Sequence, residues 1–189
     1  MLKWCKEADI HMLTMWGFSL ENFNRDKQEI GGLFELFKKN LIEGLGKEEE
    51  NKKDLRVKFL GRINLFPKEI QGLVSKVEKQ LSGNKKYQLN LLLSYGGRAE
   101  IVDAVNSIIK SGVKEISEET FPKYLYTKDL PDPELIIRTS GEKRLSGLLP
   151  WQSTYSELYF CEKLWPDFSK EDFLAAVDDY KHRKRRFGK

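Results

Sequence analysis

Short apolar runs alternate with helical patterns along most of this chain. Residues 10–18 (IHMLTMWGF) read as a strand. From Lys27 to about Gly46 the apolar residues Ile30, Leu33, Phe34, Phe37, Leu41 and Leu45 fall at helical spacing. The charged run Lys47 to Asp54 reads as a solvated connection, and Leu55 to Leu60 (LRVKFL) as a second strand. Pro67, favoured in a first helical turn, opens a helix to about Leu81. A third strand covers Tyr87 to Ser94, a third helix Arg98 to Ser111, and a short helix Ser117 to Tyr126. Glu134 to Arg138 is a fourth strand and Leu158 to Phe160 a short fifth. Ser169, followed by Glu171 and Asp172, caps a last helix to about Arg185.

Strand and helix alternate, so the predicted class is α/β: one single-layer, mostly parallel sheet flanked by helices, in one domain over residues 1–189. Residues 1–8 read as the end of a helix with a strand almost directly after it. Such a helix normally crosses over from an earlier strand, which this sequence does not contain. The N-terminal strand is therefore expected to be missing.

Composition narrows the function classes. Hydrophobic residues make up 40% and charged residues 33%, enough for a core in an ordinary globular chain. No apolar run approaches the ~20 residues that span a bilayer, and the first ten residues lack the apolar core of a secretion signal. Two cysteines cannot build a disulfide framework, so a reducing cytoplasm is the expected compartment. The net charge of +4 permits an anionic partner without naming one. Two histidines give little basis for zinc or triad chemistry: His11, in an apolar stretch, is expected to be buried and hydrogen-bonded, and His182, in a basic tail, solvated.

In open α/β sheets ligands bind at the carboxyl ends of strands. The segments there are Phe18 to Arg25, Gly61-Arg62, Tyr95 to Arg98 and Arg138 to Ser146. The last is richest. Arg138, Lys143 and Arg144 lie close together with Thr139, Ser140 and Ser146 among them. Guanidinium forks and small hydroxyls suit phosphate oxygens, and Gly141 lets the loop fold back. A plain charged surface loop fits the composition as well. Glu157, which follows shortly, suits Mg²⁺ beside phosphate oxygens, or an ion pair with one of those arginines. Tyr95-Gly96-Gly97-Arg98 could aim backbone N–H groups at an anion, or simply make a tight turn. The tail Lys181 to Lys189 could be a solvated helix end, or meet nucleic acid or an anionic membrane.

The motifs together are specific. Phe18-Ser19-x-Glu21-Asn22-x-x-Arg25 with Glu29, Tyr95-Gly96-Gly97-Arg98-x-Glu100-Ile101, Ile137-Arg138-Thr139-Ser140-Gly141-Glu142, Ser156-Glu157-Leu158-Tyr159-Phe160, Trp165-Pro166-Asp167-Phe168 and Arg186-Phe187-Gly188 stand in the order of the cis-prenyltransferase family. The chain resembles undecaprenyl diphosphate synthase and its relatives over nearly its whole length.

The resemblance implies that Arg138, Arg144 and Ser146 bind the diphosphate of isopentenyl diphosphate. It implies that Glu157 helps to hold Mg²⁺, in its own site or across a subunit interface. Ser19, Asn22 and Arg25 would line the allylic site, with Asn22 taking part in proton removal and Glu29 organising the group. Arg186 and Gly188 would belong to a C-terminal R-x-G element that reaches towards a partner's site, and helix residues from Gly31 to Leu45 would line a tunnel for the product. A homodimer in the cytoplasm, with transient contact to a membrane surface and no nucleic-acid partner, is the family expectation.

One departure concerns the family's first strand and its Asp-Gly-Asn-Gly-Arg-Trp loop, which this sequence does not contain. The expectation is weak allylic binding and an unpaired neighbouring strand. The alternatives are a non-catalytic subunit of a two-chain prenyltransferase, against which Asn22, Arg25, Arg138, Arg144 and Glu157 argue, and a nucleic-acid binder, for which no accompanying motif exists.

Overall fold

A computed structural model describes residues 1–46, 54–83 and 86–184. Its elements are α1 (Leu2–Glu7), β1 (Met12–Ser19), α2 (Lys27–Gly46), β2 (Leu55–Leu60), α3 (Lys68–Leu81), β3 (Tyr87–Tyr95), α4 (Gly97–Ser111), β4 (Leu135–Arg138), β5 (Glu157–Phe160) and α5 (Lys170–His182). Short 3-10 turns cover Leu20–Asn24, Ile63–Leu65, Phe121–Tyr124 and Trp165–Asp167. The class is α/β with parallel sheets flanked by helices, as predicted. Residues 2–128 form one compact unit, and the chain from Asp129 onward forms another.

In the first unit β3 lies between β1 and β2 and is parallel to both. A strand paired on both sides and covered on both faces must be apolar nearly throughout. β3 meets this with Leu92, Leu93 and Tyr95 fully buried. Its one buried amide, Asn90, donates to the Thr14 hydroxyl at 3.1 Å and accepts from Gln88 at 2.8 Å, which removes the cost of an unpaired polar group. Helix α3 buries Ile70, Val74, Val77 and Leu81, the spacing of one helical face. Phe18 packs at the centre of an aromatic cluster, with ring centroids of Phe23, Phe66, Phe34 and Phe37 at 5.0, 5.4, 6.0 and 6.0 Å. Phe18 and Phe66 are fully buried, each contributing about 1.5–3 kcal/mol. The register of β1 against β3 breaks between Trp16 and Phe18 and again before Ser19. A bulge of this kind re-aims the side chains that follow it, and here the segment that follows carries Ser19 and Asn22. At the outer side of β2, the Phe59 N–H donates to the Glu78 carboxylate at 2.8 Å, so a side chain satisfies a strand-edge donor.

In the second unit β4 and β5 pair in parallel, Leu135 beside Glu157 and Arg138 beside Phe160. Helix α5 starts as read from sequence. The Ser169 hydroxyl accepts the Asp172 N–H at 3.3 Å, and the Asp172 carboxylate accepts the Ser169 N–H at 2.8 Å.

Three expectations change. The strands form a three-stranded and a two-stranded sheet rather than one, because β4 and β5 hydrogen-bond to each other and neither enters the β1-β3-β2 ladder. The helix expected over Ser117 to Tyr126 contracts to the 3-10 turn Phe121–Tyr124. Pro122 offers no N–H to a longer helix, and the Ser117 N–H is taken by the Thr120 hydroxyl at 2.9 Å. His11 is not buried: it lies just before β1, its side chain 59% exposed, with Nε2 3.0 Å from Asp9 and its ring edge-on to Tyr87. His182 is exposed, as expected. Residues 47–53 of the charged connection, and Arg186 and Gly188, lie outside the described residues.

Candidate active site

The segment after β1 is satisfied from within. Asn22 Oδ1 accepts the Ser19 N–H at 2.7 Å, which folds the 3-10 turn Leu20–Asn24 back on the end of the strand. Arg25 Nη1 donates to Glu29 Oε1 at 2.6 Å, one turn along, with both side chains about half exposed. Glu29 is thus the partner of the Arg25 guanidinium.

The segment after β4 is built differently. Ser140, Gly141, Ser146, Gly147 and Leu149 all have positive φ, between 44° and 86°. Backbone bonds pin the start of the loop: the Ser140 N–H donates to Lys163 O at 2.7 Å and the Gly141 N–H to Cys161 O at 2.9 Å. Gly141 has a φ of +69°, which disfavours a side chain; a Cβ there would also stand 2.7 Å from Glu162 Oε2, the movable end of an exposed side chain. Arg138 closes β4, and its Nε is buried without a hydrogen-bond partner among the described residues. Arg144 is exposed and paired with Glu142, and Ser146 is exposed. A strained, pinned backbone around an unsatisfied guanidinium N–H suits an incoming anion.

Glu157, the first residue of β5, does pair with an arginine, but with neither Arg138 nor Arg144. Its Oε2 accepts from Arg183 Nη1 at 2.8 Å, and Arg183 Nη2 also holds Asp179 Oδ2 at 2.6 Å. The Glu157 hydrogen bond, then that of Asp179, raises the guanidinium pKa further. For a divalent cation the described residues offer no cluster of acidic, histidine or cysteine ligands. Glu157 supplies a carboxylate, and Mg²⁺ needs only one or two with phosphate oxygens. The donor set thus fits Mg²⁺ once a diphosphate is bound.

Tyr95 to Arg98 makes a tight strand-to-helix turn. Gly96 and Gly97 are buried and Arg98 is exposed. Beside it lies a polar network that the sequence reading did not assign. The Tyr95 hydroxyl donates to Glu100 Oε2 at 2.6 Å, and Glu100 Oε1 accepts the Tyr126 N–H at 3.0 Å. Arg62 grips Asp103 through two bonds of 2.9 and 2.8 Å, and the Tyr126 hydroxyl donates to the same carboxylate. Arg62 chiefly holds the Asp103 carboxyl below its ordinary range. Burial, then Asp103, pushes the Tyr126 phenol well above its own. Arg62 stood in a strand-end segment and Tyr95 and Glu100 in a family motif; the i, i+3 spacing of Glu100 and Asp103, which puts two carboxylates on one face of α4, was the further signal.

Known proteins resemble the chain along nearly its whole length. The undecaprenyl diphosphate synthase family model matches residues 1–188. A tritrans,polycis-undecaprenyl-diphosphate synthase (geranylgeranyl-diphosphate specific) of Methanocaldococcus jannaschii is 46% identical, over 100% of this chain and 70% of its own length. An isoprenyl transferase of Thermotoga maritima is 47% identical, over 99% of this chain and 81% of its own. The crystal structure of lavandulyl diphosphate synthase from Lavandula x intermedia, in complex with dimethylallyl diphosphate, superposes with a TM-score of 0.89 at 32% identity, covering 100% of this chain and 83% of that one. The chain belongs to the undecaprenyl diphosphate synthase family and is a cis-prenyltransferase.

Proposed function

We propose that this chain joins isopentenyl diphosphate to an allylic diphosphate, farnesyl or geranylgeranyl, and repeats the step to give a long polyprenyl diphosphate. The observation that carries the substrate reading is Arg138, whose Nε is buried without a partner among the described residues, at the head of a loop held in left-handed conformations. The geranylgeranyl specificity in the name of the Methanocaldococcus relative supports that starter.

In this reading Arg138, Arg144 and Ser146 bind the diphosphate of isopentenyl diphosphate and fix its double bond in place. Arg25 and Ser19 bind the allylic diphosphate. Its carbon–oxygen bond breaks, the isopentenyl double bond attacks the freed carbon, and a proton leaves the adjacent carbon. Asn22 would take part in the removal of that proton, which passes to diphosphate or water. Glu29 orients Arg25. Glu157, with substrate oxygens, would hold Mg²⁺, which supplies charge neutralisation to a departing diphosphate. Phe23, Phe34 and Phe37 offer apolar surface to the growing chain. Arg186 and Gly188 would act at a partner's site in a homodimer. A cytoplasmic enzyme that touches a membrane surface to release product is consistent with the row of exposed Val102, Val105 and Ile109 on α4. No described helix is long and apolar enough to cross a membrane.

The test is an assay of the chain with radiolabelled isopentenyl diphosphate, Mg²⁺ and geranylgeranyl diphosphate. Label should enter long-chain lipid diphosphate, and Glu157→Ala should abolish this. No incorporation by the chain alone, with incorporation on mixing with a complete relative, would make it a supporting subunit instead.

A further inference from the structure

Arg183 has no role in the reading above, yet its contacts converge on that reading's metal ligand. It caps α5, its N–H donating to Tyr180 O at 3.2 Å. Its guanidinium is shared. Nη1 donates to Glu157 Oε2 at 2.8 Å, while Nε and Nη2 both hold Asp179 Oδ2, at 2.8 and 2.6 Å. The Arg183 and Glu157 side chains are only 32% and 27% exposed, so the pair is screened less than an open surface bridge. The same end of α5 is fixed a second time: the Tyr180 hydroxyl donates to Glu134 Oε1 at 2.9 Å, and Glu134 O accepts the Glu157 N–H at 2.9 Å. Glu157 is thus held by backbone and side chain before any ligand arrives.

We propose that Arg183 is a positioning residue that withholds Glu157 from a divalent cation until a diphosphate is bound. This rests on the reading of Glu157 as a metal ligand. In the free protein a cation at Glu157 meets the positive guanidinium and must compete for the same carboxylate. One carboxylate satisfied by arginine is a poor Mg²⁺ site. A bound diphosphate adds anionic oxygens to the cation's shell and tips the competition. Arg183 can then release Glu157 without being left unpaired, because Asp179 holds two of its nitrogens. Metal binding and diphosphate binding are thereby coupled, and each strengthens the other.

The experiment measures Mn²⁺ binding by electron paramagnetic resonance on the full chain, with and without inorganic pyrophosphate. The proteins are wild type, Glu157→Gln, Arg183→Gln, Arg183→Lys and Asp179→Asn, with circular dichroism to check folding. Without pyrophosphate, Arg183→Gln should bind Mn²⁺ roughly three- to tenfold more tightly than wild type, the scale of one partly buried charge contact. The gap should narrow when pyrophosphate is present. Arg183→Lys, which keeps the charge, should stay near wild type. Asp179→Asn leaves more of the guanidinium charge on Glu157 and should weaken Mn²⁺ binding. That opposite sign keeps the test decisive even if Arg183→Gln does not fold. Equal Mn²⁺ affinity in wild type, Arg183→Gln and Asp179→Asn, with binding lost in Glu157→Gln, would overturn the role of Arg183 alone. Unchanged binding in Glu157→Gln would overturn the metal-ligand reading and this inference with it.

Discussion

The segments after β1 and β4 contain similar residue types, yet their polar groups are used in opposite ways. After β1 the polar groups are already used: Asn22 on the Ser19 N–H and Arg25 on Glu29. A ligand there must replace bonds that exist. After β4 the backbone carries the strain, with Ser140 and Ser146 in left-handed conformations at about 1–2 kcal/mol per residue, and the Arg138 Nε has no partner among the described residues. A ligand there supplies a bond that is missing. The difference teaches that similar residue types can give one segment whose polar groups are already paired and another that keeps backbone strain and a guanidinium N–H with no partner among the described residues.

The comparison can be broken most strongly at the support of the first segment. Phe18→Ala, at the centre of the aromatic cluster, should cost about 3–5 kcal/mol in urea unfolding. A loss under about 1 kcal/mol would mean that the cluster does not anchor the end of β1. Next, Arg138→Ala should lower kcat/KM for isopentenyl diphosphate by about 10²–10³-fold, and Arg138→Lys should recover little, since an ammonium cannot present the guanidinium fork. Gly141→Ala should destabilise by about 1–2 kcal/mol through backbone strain, and adding Glu162→Ala should leave that loss in place, because the exposed Glu162 carboxylate can move away from a new Cβ.

The smallest effect concerns acid. Lys163 chiefly, then the Ser169 N–H, lowers the Asp172 carboxyl to about 2. Its folded pKa lies below its unfolded one, so its stabilisation is complete above an aspartate's ordinary ~3.9 and is lost as pH falls to about 2. Asp172→Asn should flatten the stability–pH curve in that window and nowhere above it, as read by thermal melting at a series of pH values.

Much of this was legible in the sequence because it is local. Pro67 marked the start of α3, and Ser169 with Asp172 the start of α5. The phosphate-suited loop after β4 was visible as arginines, hydroxyls and Gly141 in one short segment. The partner of Glu157 was not. Arg183 lies 26 residues away, and only the folding of α5 beside β5 selects it over the nearer Arg138 and Arg144. His11 was misread because its apolar neighbours are strand residues, whereas it stands just outside the strand, where burial ends. The division into two sheets depends on which strands pair, and an apolar run does not encode its partner.

The most direct test of the account is calorimetric binding of isopentenyl diphosphate and of geranylgeranyl diphosphate, each alone, to wild type, Arg138→Ala and Arg25→Ala. The account predicts that Arg138→Ala loses isopentenyl diphosphate while keeping geranylgeranyl diphosphate, and that Arg25→Ala does the reverse. Equal loss of both ligands in Arg138→Ala, or undiminished isopentenyl diphosphate binding, would contradict it.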